Sequence, residues 1–130
     1  MTYEETLHYL YTSIPVFQHS GASAYKPGLG TSIALDDYLG NPHKAYKTIH
    51  VAGTNGKGSV SHLLAAILRQ SGFKVGLYTS PHLVDFRERI RVNGKKISQD
   101  YVVDFVERHR SFFEPLHPSF FELTSSMAFE

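Results

Sequence analysis

An α/β fold, with a mostly parallel sheet flanked by helices, is what this sequence of 130 residues predicts, and three observations carry it. Thr48 to Ala52 is a short run rich in β-branched residues and bounded by turn signals, the pattern of a buried parallel strand. Val60, Leu63, Leu64, Ile67 and Leu68 then fall at i, i+3, i+4, i+7 and i+8, one apolar stripe on a helix that Ser71-Gly72 ends. Phe73 to Thr79 gives a second strand, so residues 48–79 read as one β-α-β unit with a right-handed crossover. Ligands in such sheets gather beyond the carboxyl ends of the strands.

Between the first strand and the helix lies Gly53-Thr54-Asn55-Gly56-Lys57-Gly58-Ser59. Its three glycines let successive amides approach an anion with no Cβ in the way, and the following helix points its positive end at the same place. Lys57 adds a full charge, and Ser59 a hydroxyl of the kind Mg2+ accepts. The segment reads as a phosphate-binding loop, although its spacing departs from the common G-x-x-x-x-G-K-[ST] pattern. Val51 stands where the first glycine belongs, and Gly58 follows Lys57 where Ser or Thr is usual. A glycine-rich turn with an exposed lysine is the competing reading; the strand before and the helix after favour nucleotide phosphate.

The other elements follow in order. Thr2 and Glu5 make a capping box, and Tyr3, Leu7, Leu10 and Ile14 recur at helical spacing until Pro15. From Gln18 to Gly30 the composition turns to Gly, Ser, Ala and Pro, a loop. Ile33 to Leu39 is a short helix closed by Gly40-Asn41-Pro42. Asn93-Gly94, between alternating residues from Ile90 to Ile97, is a two-residue hairpin signal. Ser98 is placed to cap a helix carrying Val102, Phe105, Val106 and His109 on one face. Phe120 to Glu130 starts a further helix.

Composition narrows the function classes. Hydrophobic content of 42% and charged content of 19% describe a globular chain large enough for its own core. A formal charge of +1 recommends neither nucleic acid nor an anionic membrane as partner. With no cysteine there is no disulfide, thiolate metal site or cysteine nucleophile. No apolar stretch nears the roughly 18 residues of a membrane helix and the start is acidic, so a cytoplasmic protein is expected. No Ser-His-Asp set or glycosidase-type carboxylate pair can be assembled.

Ala52-Gly53-Thr54-Asn55-Gly56-Lys57-Gly58-Ser59, then Ser80-Pro81-His82-Leu83, then Glu88-Arg89-Ile90-Arg91-Val92 resemble folylpolyglutamate synthase and dihydrofolate synthase, the folate branch of the Mur ligase superfamily. Tyr25-Lys26-Pro27-Gly28-Leu29-Gly30 and Phe120-Phe121-Glu122-Leu123-Thr124 add to the match. Cell-wall Mur ligases typically carry Thr directly after the lysine, so Gly58 favours the folate branch. The resemblance implies a P-loop-type ATPase domain of which residues 1–130 are the N-terminal part, with the rest of that domain and a C-terminal domain lying further along a monomeric parent. It implies ATP and Mg2+ as cofactors, folate or dihydropteroate and L-glutamate as partners, and amide formation through an acyl phosphate.

The resemblance also assigns residues. Gly53 to Ser59 would hold the ATP phosphates, with Lys57 doing the catalytic work of neutralising them. Ser80 and Glu122 would supply oxygens to Mg2+; otherwise Ser80 is a turn residue and Glu122 a solvated helix charge. Gly28, Leu29, Gly30 and Thr31 would line the pterin, or else form an ordinary surface loop. His82 and His50 read as hydrogen-bonding residues, His50 in the core, and the Phe112-Phe113 and Phe120-Phe121 pairs as core. Arg87, Glu88, Arg89, Arg91, Lys95 and Lys96 read as a solvated hairpin with weak internal ion pairs, or as cations attracting an anionic folate tail. Two rival functions are a cell-wall Mur ligase and a non-catalytic nucleotide-binding fragment.

Overall fold

The computed structural model describes residues 1–14 and 28–130, which form two compact units: Met1–Tyr46 with Gln99–Glu130, and Lys47–Ser98. The predicted loop from Gln18 therefore lies, up to Pro27, outside the described residues.

The first unit is helical. Helix α1, Tyr3–Ser13, opens on the expected capping box, in which Glu5 donates its amide to Thr2 Oγ1 and its carboxylate accepts from the Thr2 amide. Helix α2, Gly30–Tyr38, starts three residues before the predicted Ile33. Helix α4, Gln99–Phe113, carries Val102, Phe105 and Val106 on its buried face, and helix α5, Phe120–Phe129, completes the unit. Helix α1 packs on α4 and α2 on α5. Leu10, Leu35, Val102, Phe105, Val106, Phe113, Leu123 and Met127 form one dry core, each worth roughly 1.5–3 kcal/mol for its removal from water if large. Tyr11 stacks on Phe120 at 5.7 Å and Tyr38 on Phe112 at 3.9 Å. Two hydroxyls satisfy carbonyls near the end of α5: Tyr101 donates to Met127 O at 2.8 Å and Tyr46 to Phe129 O at 2.6 Å.

The second unit holds helix α3, Lys57–Gln70, and a small sheet of β1, Gly76–Tyr78, β2, Ile90–Val92, and β3, Lys95–Lys96. Its order is β1-β2-β3 and both pairings are antiparallel, with Leu77 opposite Arg91 and Val92 opposite Lys95. The hairpin signal holds. Asn93 at φ 51° and Gly94 at φ 79° are both left-handed, as a tight two-residue turn matched to strand twist requires.

The parallel β-α-β reading departs from this structure in two ways. Residues 48–52 form no strand, and β1 pairs antiparallel with the hairpin rather than beside them. A parallel strand needs a ladder partner and cover on its faces. Among the described residues nothing pairs with 48–52, and Ile49 is 65% exposed. The stripe on α3 is only partly covered: Leu64 and Leu68 are half-buried, whereas Val60, Leu63 and Ile67 are exposed. Helix α3 also begins at Lys57, three residues earlier than the apolar pattern alone predicts, because helical backbone reaches back into the glycine-rich segment.

Candidate functional site

The glycine-rich segment is an exposed loop running into the start of α3. Gly56, at φ 78° and ψ 8°, is the residue before the first helical turn, a left-handed conformation that a Cβ would strain. Among the described residues no side chain caps this helix, so the amides of its first turn have neither an intrahelical acceptor nor a described capping oxygen. That is the arrangement that receives an anion. A Cβ built on Gly53, Gly56 or Gly58 would meet no atom within 4 Å, so the loop is open on that side.

Lys57 closes the loop on itself. Its Nζ donates to Gly53 O at 2.6 Å, with Thr54 O at 3.5 Å, so the ammonium sits over the bend formed by its own preceding residues. Chemically this places one positive charge beside the glycine-rich backbone at the start of α3, a charge of the sign that phosphate oxygens attract. Ser59 is exposed in the first turn of α3.

Ser80 follows β1 and is exposed, just before the segment 82–89, which is tightly hydrogen-bonded. Glu88 accepts from the amides of Leu83 at 3.0 Å, Val84 at 3.1 Å and Asp85 at 2.7 Å. Those bonds, the Asp85 amide first, hold its carboxyl down at about 2. Asp85 is pulled the other way by partial desolvation. Hydrogen bonds from the Arg87 amide and guanidinium and from Lys96 outweigh that and bring it to about 2. His82 accepts at Nδ1 from Arg89 Nε at 2.8 Å, and burial, then the Arg89 charge, lower its pKa, so the ring is a neutral hydrogen-bonding partner as expected.

The sequence reading of the charged run needs correction at one residue. Arg89 is only 3% exposed, a buried cation rather than a solvated one. Its carbonyl faces the sheet and accepts from the Thr79 amide at 2.9 Å. Nothing in the alternating charges of residues 87–91 marks this one as buried. His50 is corrected too, being exposed and outside any strand. Phe113 and Phe120 are core, whereas Phe121 is 58% exposed.

Glu122 sits at the third position of α5, where its carboxylate accepts from the Ser119 amide at 3.3 Å and its amide donates to Ser119 Oγ at 3.1 Å. A capping box therefore accounts for its placement in the fold. Ser80 and Glu122 belong to different units, and their pairing on one ion rests on the resemblance alone. Both offer oxygen, the donor Mg2+ prefers. Among the described residues no group of three His, Asp or Glu side chains could hold a metal. Gly28 and Leu29 precede α2 and are exposed, with Gly30 and Thr31 in its first turn.

A glycine-rich loop feeding a helix that no described side chain caps, with a lysine ammonium on that loop, marks the chain as a candidate phosphate-binding protein. Comparison with known proteins narrows that class. No family model matches the chain. The chain is 39% identical to a probable bifunctional folylpolyglutamate synthase/dihydropteroate synthase of Haloferax volcanii over 98% of its length, and 40% identical to the dihydrofolate synthase/folylpolyglutamate synthase of Bacillus subtilis over 80%. Among solved structures, folylpolyglutamate synthase of Thermotoga maritima matches 98% of the chain with a TM-score of 0.84 at 45% identity. The Lactobacillus casei enzyme matches 99% at 0.81 and 32%. The Mycobacterium tuberculosis enzyme, solved with ADP and AMPPCP, matches 79% at 0.73 and 38%. By sequence and by fold the chain belongs to the folylpolyglutamate and dihydrofolate synthase family. It spans 15% and 26% of the two curated relatives and 29% and 32% of the first two structures.

Proposed function

We propose that this chain is the N-terminal part of the ATP-binding domain of a cytoplasmic ligase that joins L-glutamate to a folate or dihydropteroate carboxylate. The observation that carries the proposal is the loop 53–59: open glycine backbone leads into the N-terminus of α3, which no described side chain caps, and the ammonium of Lys57 lies on the same loop. The ADP and AMPPCP complex of the M. tuberculosis relative supports nucleotide as the ligand. A carboxylate is a poor electrophile, so the reaction needs its oxygen to attack the γ-phosphorus of ATP, releasing ADP and leaving an acyl phosphate. The glutamate amine then attacks the acyl carbon, the amine loses a proton and phosphate departs. Loop amides and Lys57 hold the β- and γ-phosphates and offset the charge that shifts between them, an electrostatic contribution made before the reaction starts.

Mg2+ would neutralise phosphate charge, held through Ser80 and Glu122. The exposed Val60, Leu63 and Ile67 of α3 and the residues 48–52, with which no described residue pairs, support a place for this chain within a larger sheet, where 48–52 would become a parallel strand. The test is to supply the remaining region of a relative in trans and measure glutamate addition to dihydropteroate and to folate. Folate-dependent ADP release with a glutamylated product supports the proposal. Ligation only to a nucleotide-linked sugar acceptor would assign the chain to cell-wall synthesis instead.

A further inference from the structure

Ser80 can serve as a fixed oxygen donor only if the chain is held on both sides of it, and β1 ends at Tyr78. Arg89 holds both sides at once. Its carbonyl accepts from the amide of Thr79, the residue before Ser80, at 2.9 Å, and its guanidinium Nε donates at 2.8 Å to Nδ1 of His82, two residues beyond. At 3% exposure this guanidinium has left water, which is costly for a cation unless its hydrogen bonds are well made. A solvated lysine or a neutral side chain would serve the hairpin at less cost.

Glu88, the preceding residue, fixes the next stretch. Its two carboxylate oxygens take three consecutive amides, those of Leu83, Val84 and Asp85, at 2.7–3.1 Å. Asp85 in turn caps the 3-10 turn Phe86–Arg89 by accepting from the Arg87 amide at 2.9 Å, so the segment from His82 returns rigidly to β2. The ring of His82 also stands edge-on to buried Phe86, 6.1 Å between centroids. Leu83 and Val84, each 90% exposed, contribute nothing to this order through burial, so hydrogen bonding alone holds their backbone.

We propose that Arg89 and Glu88 are positioning residues for Ser80, stapling residues 79–85 so that the Ser80 hydroxyl is presented at a fixed point to a phosphate-bound divalent cation. This rests on the reading of Ser80 as an oxygen donor to Mg2+, and the experiment separates the two. ATP is titrated into the full chain by calorimetry with Mg2+ and again with EDTA, for wild type, Ser80→Ala, Glu88→Gln, Arg89→Lys and the double variant Ser80→Ala/Arg89→Lys. The gain in ATP affinity that Mg2+ confers is expected to shrink about tenfold in each single variant, the effect of one misplaced charge-assisted contact, with affinity in EDTA unchanged. The double variant should lose no more than Ser80→Ala alone, because Arg89 acts through Ser80. Glu88→Gln keeps an acceptor on a half-buried side chain and serves if Arg89→Lys does not fold. An effect of Ser80→Ala without one of Glu88→Gln or Arg89→Lys overturns the positioning role alone. Equal loss in Mg2+ and EDTA would reduce both residues to loop structure, and an ineffective Ser80→Ala would overturn the metal reading beneath.

Discussion

Gly56→Ala isolates the backbone of the glycine-rich loop from every other effect. A Cβ there meets no atom within 4 Å, so the substitution introduces no collision, and its whole cost is the left-handed conformation at φ 78°. For an alanine that cost is about 1–2 kcal/mol. If the loop keeps its shape, the chain loses that much stability; if it relaxes, the binding-competent shape falls to a minor population. In the second case the apparent Kd for MgATP rises by the inverse of that population, about 5- to 30-fold. Gly58→Ala is the matched control. Gly58 has no positive φ, lies in the first turn of α3 and also faces open space. An alanine at a helical position is worth about 0.5–1 kcal/mol over glycine, so this variant should melt higher. Calorimetric titration and thermal melts of the two proteins supply the comparison. Wild-type stability and wild-type affinity in Gly56→Ala would refute the argument, because the strained glycine would then have no role in fold or loop.

Gly94→Ala combines the same strain with a close approach, since the new Cβ would collide with Arg69 Nη1. The guanidinium is a flexible end and can move, so thermal melts should show a loss of about 1–2 kcal/mol, whereas a larger loss would mean Arg69 is fixed. Phe105→Ala removes a ring that is 1% exposed in the helical unit and should cost about 3–5 kcal/mol in urea unfolding, with no equal effect expected of Phe121→Ala at the surface. Asp85 and Glu88 ionise near 2 in the folded chain against ordinary values of 3.8 and 4.5. Depressed values favour folding while the groups are charged, so their contribution is complete above about pH 5 and fades as pH falls toward 2. Acid titration of unfolding should therefore be shallower in Glu88→Gln over that window.

Local signals in this chain proved sound wherever the structure they specify is local. Thr2 with Glu5, and Asn93-Gly94, name their own partners within four residues, and both form as read. Helix α4 follows from a stripe whose cover lies in the same unit. The parallel strand at 48–52 does not form among the described residues for the opposite reason: β-branched composition states a preference, while a strand exists only through its neighbours, and no described residue pairs with it. The loop 53–59 was legible because glycines, lysine and helix onset are contiguous. Burial of Arg89 was not legible, because a buried cation and a surface one have the same letter and its partners, Thr79 and His82, are set by the return of the chain. Glu122 reads in the sequence as a metal ligand by resemblance or as a solvated helix charge, and its capping role with Ser119, which explains its place without reference to a metal, was not read.

The central claim is that Lys57 and the surrounding amides bind nucleotide phosphate. Calorimetric titration of MgATP into wild type and Lys57→Ala, with circular dichroism confirming both folds, tests it most directly. Lys57 is exposed and among the described residues it bonds only loop carbonyls, so its loss should leave the fold intact while weakening MgATP by at least about tenfold, the worth of one hydrogen bond to a charged group. Equal affinity in the two proteins would contradict the assignment of the loop.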